Sequence, residues 1–303
     1  MAYTTGDTIL DDHYNGFATS VNAIWGSGSG DSGYGQGTTV SAVSAGTTVT
    51  ASQWTTLLSR ISSAASHQSS SITAISNPSA GNTISAYTAL STNIATITTN
   101  RLNVHARQGL LTNAASTTTG LTGTITQTGN WAWGSTDQAR YFFNAGGRIS
   151  VSWSITGYTA NLKANNWNTL LNGEVGTYYI YSQSSGKSGG SGTVNINLTN
   201  LGWHDMTGSY QTAFRQYFDS GGYAAYTTNY LQLDLYKSGG TVYWRTYMVD
   251  AAADQTSFNK SVYNVLDSVD GTKKTTFGHE KPSLTYIGDS WGGGPSLVVT
   301  GNG

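Results

Sequence analysis

Apolar residues along this chain recur with two different periods, helical in the first part and alternating in the second. Near the start, Leu10, Tyr14, Phe17, Val21 and Ile24 are spaced four and three apart, the stripe of a helix whose one face packs against something else. A first helix near 8–25 is predicted, with Asp7 or Thr8 as its N-cap. The run GSGSGDSGYGQG at 26–37 ends it in a loop, because each glycine costs a helix roughly 1 kcal/mol. A second helix begins at Thr50 or Ser52 with Trp54, Leu57, Leu58 and Ile61 on one face, and a third carries Ile84, Tyr87, Leu90, Ile94 and Ile97. Ser and Thr crowd these helices and form helix poorly, so packing within or between chains must supply most of their stability.

From about residue 120 the period becomes two. Ile149, Val151, Trp153 and Ile155 alternate with serines, and Val194, Ile196 and Leu198 with asparagines, the pattern of half-buried strands. The clearest hairpin joins Leu231, Leu233 and Leu235 through KSGG at 237–240 to TVYWRTYMV at 241–249. Further strands are expected at 177–182, 284–287 and 296–300. Helical interruptions are expected where Tyr210, Ala213, Phe214 and Tyr217 follow Ser209, and at 165–171. The strings QWTTLL at 53–58 and NWNTLL at 166–171 echo one another, each placing Trp and Leu on one helix turn. Together these elements predict a mainly β fold: an antiparallel, jelly-roll-like β-sandwich over 126–303, preceded by a short-helical or extended assembly region over 1–125.

Composition sharpens that division. Charged residues make up 10% of the chain against roughly 25% in an ordinary domain, and between Asp31 and Asp137 the charged side chains are Arg60, Arg101 and Arg107, with His67 and His105 beside them. A span so uncharged favours burial against another chain over a solvated stalk. The 12% aromatic content, with 9 Trp and 19 Tyr, argues for a packed core and against disorder. A formal net charge of −1 gives no footprint for nucleic acid or an anionic membrane. Zero Cys removes disulfides and thiolate metal sites, and neither an export signal nor a membrane-spanning run is evident.

Candidate chemistry is sparse. IGDSWGG at 287–293 has the form of a hydrolase nucleophile block, yet nothing ionisable follows Asp289 to act as its base, so a turn is expected. Adjacent His204 and Asp205 diverge and cannot form a base and its orienter alone. Asp11, Asp12 and His13 diverge by about 100 degrees per residue on a helix, where acid suits the first turn. His67, His105 and His279 read as satisfied polar residues. SSGKSGGSG at 184–192 lacks the leading glycine of a phosphate loop and reads as a hairpin tip. A glycosidase pair would have to come from Glu174, Glu280 and the aspartates 137, 205, 219, 234, 250, 254, 267, 270 and 289. No catalytic residue, metal ligand or cofactor is expected. Sugar binding without cleavage is the alternative, with Trp203, Tyr223, Tyr226 and Trp291 as stacking faces because they flank loop-like segments.

Several strings carry a resemblance: HYNGFATSVNAIWGSGSGDSGYGQ at 13–36, VTASQWTTLLSRISSAASHQ at 49–68, ARYFFNAGGRISVSWS at 139–154, NNWNTLL at 165–171, YTTNYLQLDLY at 226–236, and SVDGT at 268–272 before Lys281 and Pro282. In their order the chain resembles the Gly/Ser/Thr-rich virion structural proteins of tailed phages, especially those of marine cyanobacteria. Arg148 stands where that pattern usually has an acid. The resemblance implies a non-enzymatic tail, neck or fibre component, made in the host cytoplasm and built into the virion. Its partners would be copies of itself, with a trimer the expected symmetry, and other particle proteins; the alternative is an adhesin for host-surface glycan. The stripes Leu10, Tyr14, Phe17, Val21, Ile24 and Trp54, Leu58, Ile61 are the candidate assembly interface.

Overall fold

The apolar stripes of the first hundred residues close on one another. A computed structural model of the chain describes residues 11–78, 86–218, 226–253, 256–257 and 265–303, so Asp7, Thr8, Leu10 and Ile84 lie outside the described residues. Helices α1 (Asp11–Trp25), α2 (Ala51–His67) and α3 (Tyr87–Thr99) bury Tyr14, Phe17, Val21 and Ile24 together with Trp54, Leu57, Ile61, Leu90, Ile94 and Ile97. The Tyr14 and Trp54 rings lie 6.2 Å apart and Phe17 sits 5.2 Å from Tyr87. The described residues expected to form an assembly interface therefore make this unit's own core, with Leu58 half-buried at its margin. The same spacing serves either purpose, because a helix needs only one covered face. Thr50 caps α2: its hydroxyl accepts from the Gln53 N–H at 3.2 Å, and its own N–H donates to the Gln53 side chain at 2.9 Å, a reciprocal capping box.

Asparagines on the helices hold the extended segments between them. The Asn15 amide both donates to the Val43 carbonyl, at 2.9 Å, and accepts from the Val43 N–H, at 2.8 Å; Asn22 does the same for Val40 and Asn93 for Thr73. Each amide imitates a neighbouring strand, satisfying a backbone that has no sheet to join. The hydroxyl-rich stretches 37–50 and 69–78 are therefore ordered without being helix or sheet.

Two compact units share the chain, and a single boundary near 125 does not separate them. The first draws on Met1–Gly109, Asp137–Gly147 and Lys281–Gly294, the second on Leu110–Thr136, Arg148–Glu280 and Pro295–Gly303. Helix α4 (Thr136–Asn144) supplies most of the second segment of the first unit. Its Asn144 donates to the carbonyls of Gly30, Ser32 and Gly33, and Arg140 to those of Ser27 and Ser32. The third segment is tied in by Gln36, whose amide bonds both ways with Gly288. Residues 284–287 are consequently not a strand; Leu284 and Tyr286 project outward, and Ser283 N–H meets the Ala106 carbonyl instead.

The second unit is mainly β. Its strands are β1 (Leu111–Thr117), β2 (Gly123–Ala132), β3 (Arg148–Thr156), β4 (Thr177–Ile180), β5 (Ser185–Ser188), β6 (Ile196–Asn197), β7 (Gln211–Tyr217), β8 (Tyr230–Ser238), β9 (Thr241–Asp250), β10 (Thr256–Ser257), β11 (Val265–Leu266), β12 (Thr272–Glu280) and β13 (Ser296–Asn302). Two antiparallel sheets have the orders β1-β12-β3-β4-β5 and β13-β2-β9-β8-β7-β6, and β10 pairs with β11 separately. Early strands β1 and β2 pair with late strands β12 and β9, the nesting of a jelly roll, while β3-β4-β5 and β7-β8-β9 run as meanders. The sheets pack face to face as a sandwich. Trp153 of one stacks on Phe214 of the other at 5.7 Å, Phe277 meets Trp131 and Trp244, and the Trp131 indole N–H donates to the Gly278 carbonyl at 2.9 Å.

Two sequence expectations change here. The segment with Tyr210, Ala213, Phe214 and Tyr217 is strand β7, not helix: a bulge between Thr212 and Phe214 inserts Ala213, so two consecutive residues face the core and counterfeit a helical spacing. The tip expected at 184–192 falls instead at 181–184, where Tyr181 N–H bonds the Ser184 carbonyl, and Ser185–Ser188 is the returning strand. Residues 165–171 are helical as expected, α5 (Leu162–Asn168) running into a π-helical turn over Thr169–Glu174. The block at 139–154 holds both α4 and the start of β3. Its Arg148 pairs with Glu280 at 2.7 Å directly across the ladder.

Candidate functional site

Strand alternation gives β9 two unlike faces. Val242, Trp244, Thr246 and Met248 point into the sandwich, leaving Tyr243, Arg245 and Tyr247 on the outer side. Register carries the outer face across the six-stranded sheet: Tyr236 lies opposite Tyr243, Asp234 opposite Arg245, Gln232 opposite Tyr247, then Arg215 opposite Gln232 and Tyr217 opposite Tyr230. Tyrosines thus gather on one surface because they occupy cross-strand neighbouring positions.

The rings are ordered by each other and by the arginines. Tyr236 and Tyr243 stack with centroids 4.5 Å apart and planes within 6°, and Tyr210 stands edge-on to Tyr236 at 4.5 Å. The Arg245 guanidinium lies 3.9 Å from the Tyr210 ring and 4.8 Å from Tyr247, and its charge is met by Asp234 at 2.9 Å. Asp234 also accepts from Gln232 and Thr212. Arg215 donates to the Gln232 side chain over the Tyr230 ring, with Tyr217 at 5.0 Å from that ring. Side chains fixed in this way lose little freedom when a partner arrives. Partial burial raises the pKa of Tyr210, Tyr236 and Tyr247, with neighbouring Tyr243 adding to the effect at Tyr236. The phenols therefore stay neutral, each able both to donate and to accept. Toward the sheet edge the face continues through Thr126, Thr128 and Asn130 of β2 to Val298, 42% exposed, and Thr300 of β13.

None of the described stacking candidates belongs to this face. Trp203 is 4% exposed, Tyr226 0% and Trp291 1%, so each fills a core, and Tyr223 lies outside the described residues. Flanking a loop was a poor guide because these loops fold back over their aromatics. Trp203, for instance, is covered by Lys237, whose ammonium lies 4.2 Å from its ring. The residues that do form an outward-facing aromatic surface, exposed Tyr210 and half-buried Tyr217, Tyr230, Tyr236, Tyr243 and Tyr247, were missed. Their signal was present in YWRTY, where Tyr243 and Tyr247 flank Arg245 at a period of two.

The other candidates have structural partners. Asp289 accepts from the N–H groups of Trp291 and Gly293, and the Ser290 hydroxyl donates to the Tyr34 carbonyl, which makes IGDSWGG a pinned turn. His67 bonds the Ala145 carbonyl at 2.9 Å and His105 the Ser69 hydroxyl. Asp11 accepts from the Gly46 N–H, and no group of potential metal ligands occurs among the described residues. Of the carboxylates, Asp137 pairs with Arg140, Asp270 accepts from Thr159, Asp267 from the Tyr226 hydroxyl, and Asp250 pairs with Lys163. Asp219 and Asp254 lie outside the described residues. No helix among the described residues is long and apolar enough to cross a membrane. Comparison with protein-family models, curated proteins and solved structures finds no match for this chain.

Proposed function

We propose that this chain is a non-enzymatic structural protein of a tailed-phage particle, a tail, neck or fibre component that is made in the host cytoplasm and assembles as a homo-oligomer, taken to be a trimer, on other particle proteins. The observation that carries this reading is the surface of the first unit. Segments 37–50 and 69–78 are largely exposed and carry no charged side chain, yet asparagine amides hold them in fixed extended paths. An ordered, hydroxyl-rich surface without charge can pack on a copy of itself without desolvating ions, and its hydrogen bonds tolerate changes of salt. Gold-labelled antibody against the purified chain should decorate intact particles at the tail or neck, and sedimentation of the chain should give a discrete oligomer. A monomer at tens of micromolar together with undecorated particles would end the proposal.

The outer tyrosine face favours a second reading, a host-surface glycan-binding adhesin. Stacked and edge-on phenols offer apolar ring faces to the C–H side of a sugar, while their hydroxyls and the part-exposed Arg245 guanidinium meet its hydroxyl groups. Replacing Tyr236 and Tyr243 by Ala should weaken binding on a glycan array at least tenfold and leave the melting temperature within a few degrees. Unchanged glycan binding by that double variant would remove this face from consideration.

A further inference from the structure

Beneath the second unit's surface lies a lysine buried from bulk solvent. Lys163, in the first turn of α5, is 1% exposed, and its ammonium nitrogen sits 2.5 Å from Oδ2 of Asp250, the last residue of β9, whose side chain is 2% exposed. Removing both ions from water carries a desolvation penalty that even a close pairing repays only in part. Transfer of one proton across the short contact leaves a neutral amine against a neutral carboxylic acid, which are the reactive forms for amide formation. The surroundings suit that reaction. The other carboxyl oxygen, Oδ1, accepts from the Asn229 amide at 2.7 Å. Asn229 is itself fully buried and fixed, its side-chain oxygen accepting from Ala252 N–H at 2.8 Å and its backbone N–H and carbonyl both engaged by Tyr226 and Phe218. A donor held in this way polarises the carbonyl and stabilises the oxyanion that forms on it. The Tyr226 ring, 5.6 Å from the amine and tied through its hydroxyl to buried Asp267, closes the site.

We propose that Lys163 and Asp250 join in an intramolecular isopeptide bond. The amine nitrogen attacks Cγ of the protonated carboxyl after a turn of that carboxyl about its broad χ2 torsion. Oδ1 carries the developing negative charge on the Asn229 amide. The tetrahedral centre then collapses, the C–Oδ2 bond breaks, and Oδ2 leaves with its own hydrogen and one from nitrogen as a molecule of water. No oxidant, metal or activated co-reactant is required. Proximity supplies what an intermolecular amide synthesis lacks, since two reactants held in contact act at very high effective concentration. The product ties the start of α5 to the end of β9 and closes a covalent loop around the intervening strands. The inference is independent of the particle reading, because it concerns the chemistry of the folded chain alone.

Intact-mass spectrometry of the purified full chain tests it directly. The expected mass is one water below that of the sequence, and trypsin should fail to cut after Lys163 and release a branched peptide containing both Lys163 and Asp250. Dehydration at Asp270–Gly271 would give the same intact mass, so the fragment spectrum of the branched peptide is the deciding measurement. Lys163→Arg should restore the full mass, and Asp250→Asn should lose ammonia instead of water while forming the same link. A wild-type chain whose Lys163 peptide is linear overturns the proposal, whether its intact mass is full or its lost water maps elsewhere.

Discussion

Acid should unfasten the first unit through His67. This imidazole is buried at the end of α2, with its ring nitrogen 2.9 Å from the Ala145 carbonyl and the Tyr34 ring 5.1 Å away. Burial, opposed by the bond to Ala145 and assisted by nearby His105, lowers its pKa from 6.5 to about 4. The unfolded chain takes up a proton below pH 6.5 that the folded chain refuses until about pH 4, so this residue's contribution is fully present at neutral pH and declines as pH falls through that window. At about 1.4 kcal/mol per pH unit, the loss is about 1 kcal/mol at pH 5.5 and about 3 kcal/mol at pH 4, and it levels off below. Carboxylates titrate in the same range, so the measurement is a difference: urea melts of wild type and His67→Gln, followed by tryptophan fluorescence at pH 7, 5.5 and 4. Gln can still donate to Ala145 but cannot titrate. The wild type should lose about 3 kcal/mol more than the variant between pH 7 and 4. Parallel curves, or an NMR titration of His67 near 6.5, would refute the reasoning.

Two further substitutions test the packing. Gly129 of β2 has the Trp244 ring and the Val298 carbonyl 2.6 Å from where a Cβ would stand, so Gly129→Ala should destabilise the sandwich by about 1–3 kcal/mol in thermal melts; a neutral result would mean that Trp244 is free to move. Asn22→Ala removes both hydrogen bonds to Val40 and should cost about 1–3 kcal/mol. It should also speed limited proteolysis within 37–50, whereas an unchanged cleavage rate would show that the segment is held by other means.

The sequence was most legible where one face of an element is uniformly apolar. Tyr14, Phe17, Val21 and Ile24 marked α1, Trp54, Leu57 and Ile61 marked α2, and the Leu231–Leu235 alternation marked β8. It was least legible where the core is polar or the strand irregular. In β12, Lys273, Thr275 and His279 face inward, with the Lys273 ammonium donating to the carbonyls of Thr119 and Val269 and the Thr275 hydroxyl to Gln127. In β2 the inward positions include Gln127 and Gly129, with Gln127 accepting from the Thr275 hydroxyl at 2.6 Å. A period-two pattern read by hydrophobicity passes over strands whose buried members are hydrogen-bonded to one another across the sandwich. Helix α4 escaped because its buried side includes Asn144, which serves three carbonyls that a sequence does not reveal.

The exposed tyrosine face was hidden for a different reason, which also bears on how it works. Aromatics lie on both sides of β9, Trp244 inward and Tyr243 and Tyr247 outward, so aromatic content alone cannot say which ring meets water. The chemical difference can: a phenol keeps a hydrogen-bonding tip, which makes Tyr the ring that tolerates half-burial, whereas Trp244 lies wholly in the core. Arg245 reinforces the choice. Placed between the two tyrosines and opposite Asp234, it cannot turn inward without burying a charge beside Phe277 and Trp244, so it fixes the phase of the strand as firmly as any apolar residue. A charged residue at the centre of an aromatic run therefore does two things at once. It specifies which side of the sheet is outer, and it orders Tyr210 and Tyr247 against its guanidinium plane, so the register that folds the sandwich is also what builds the face.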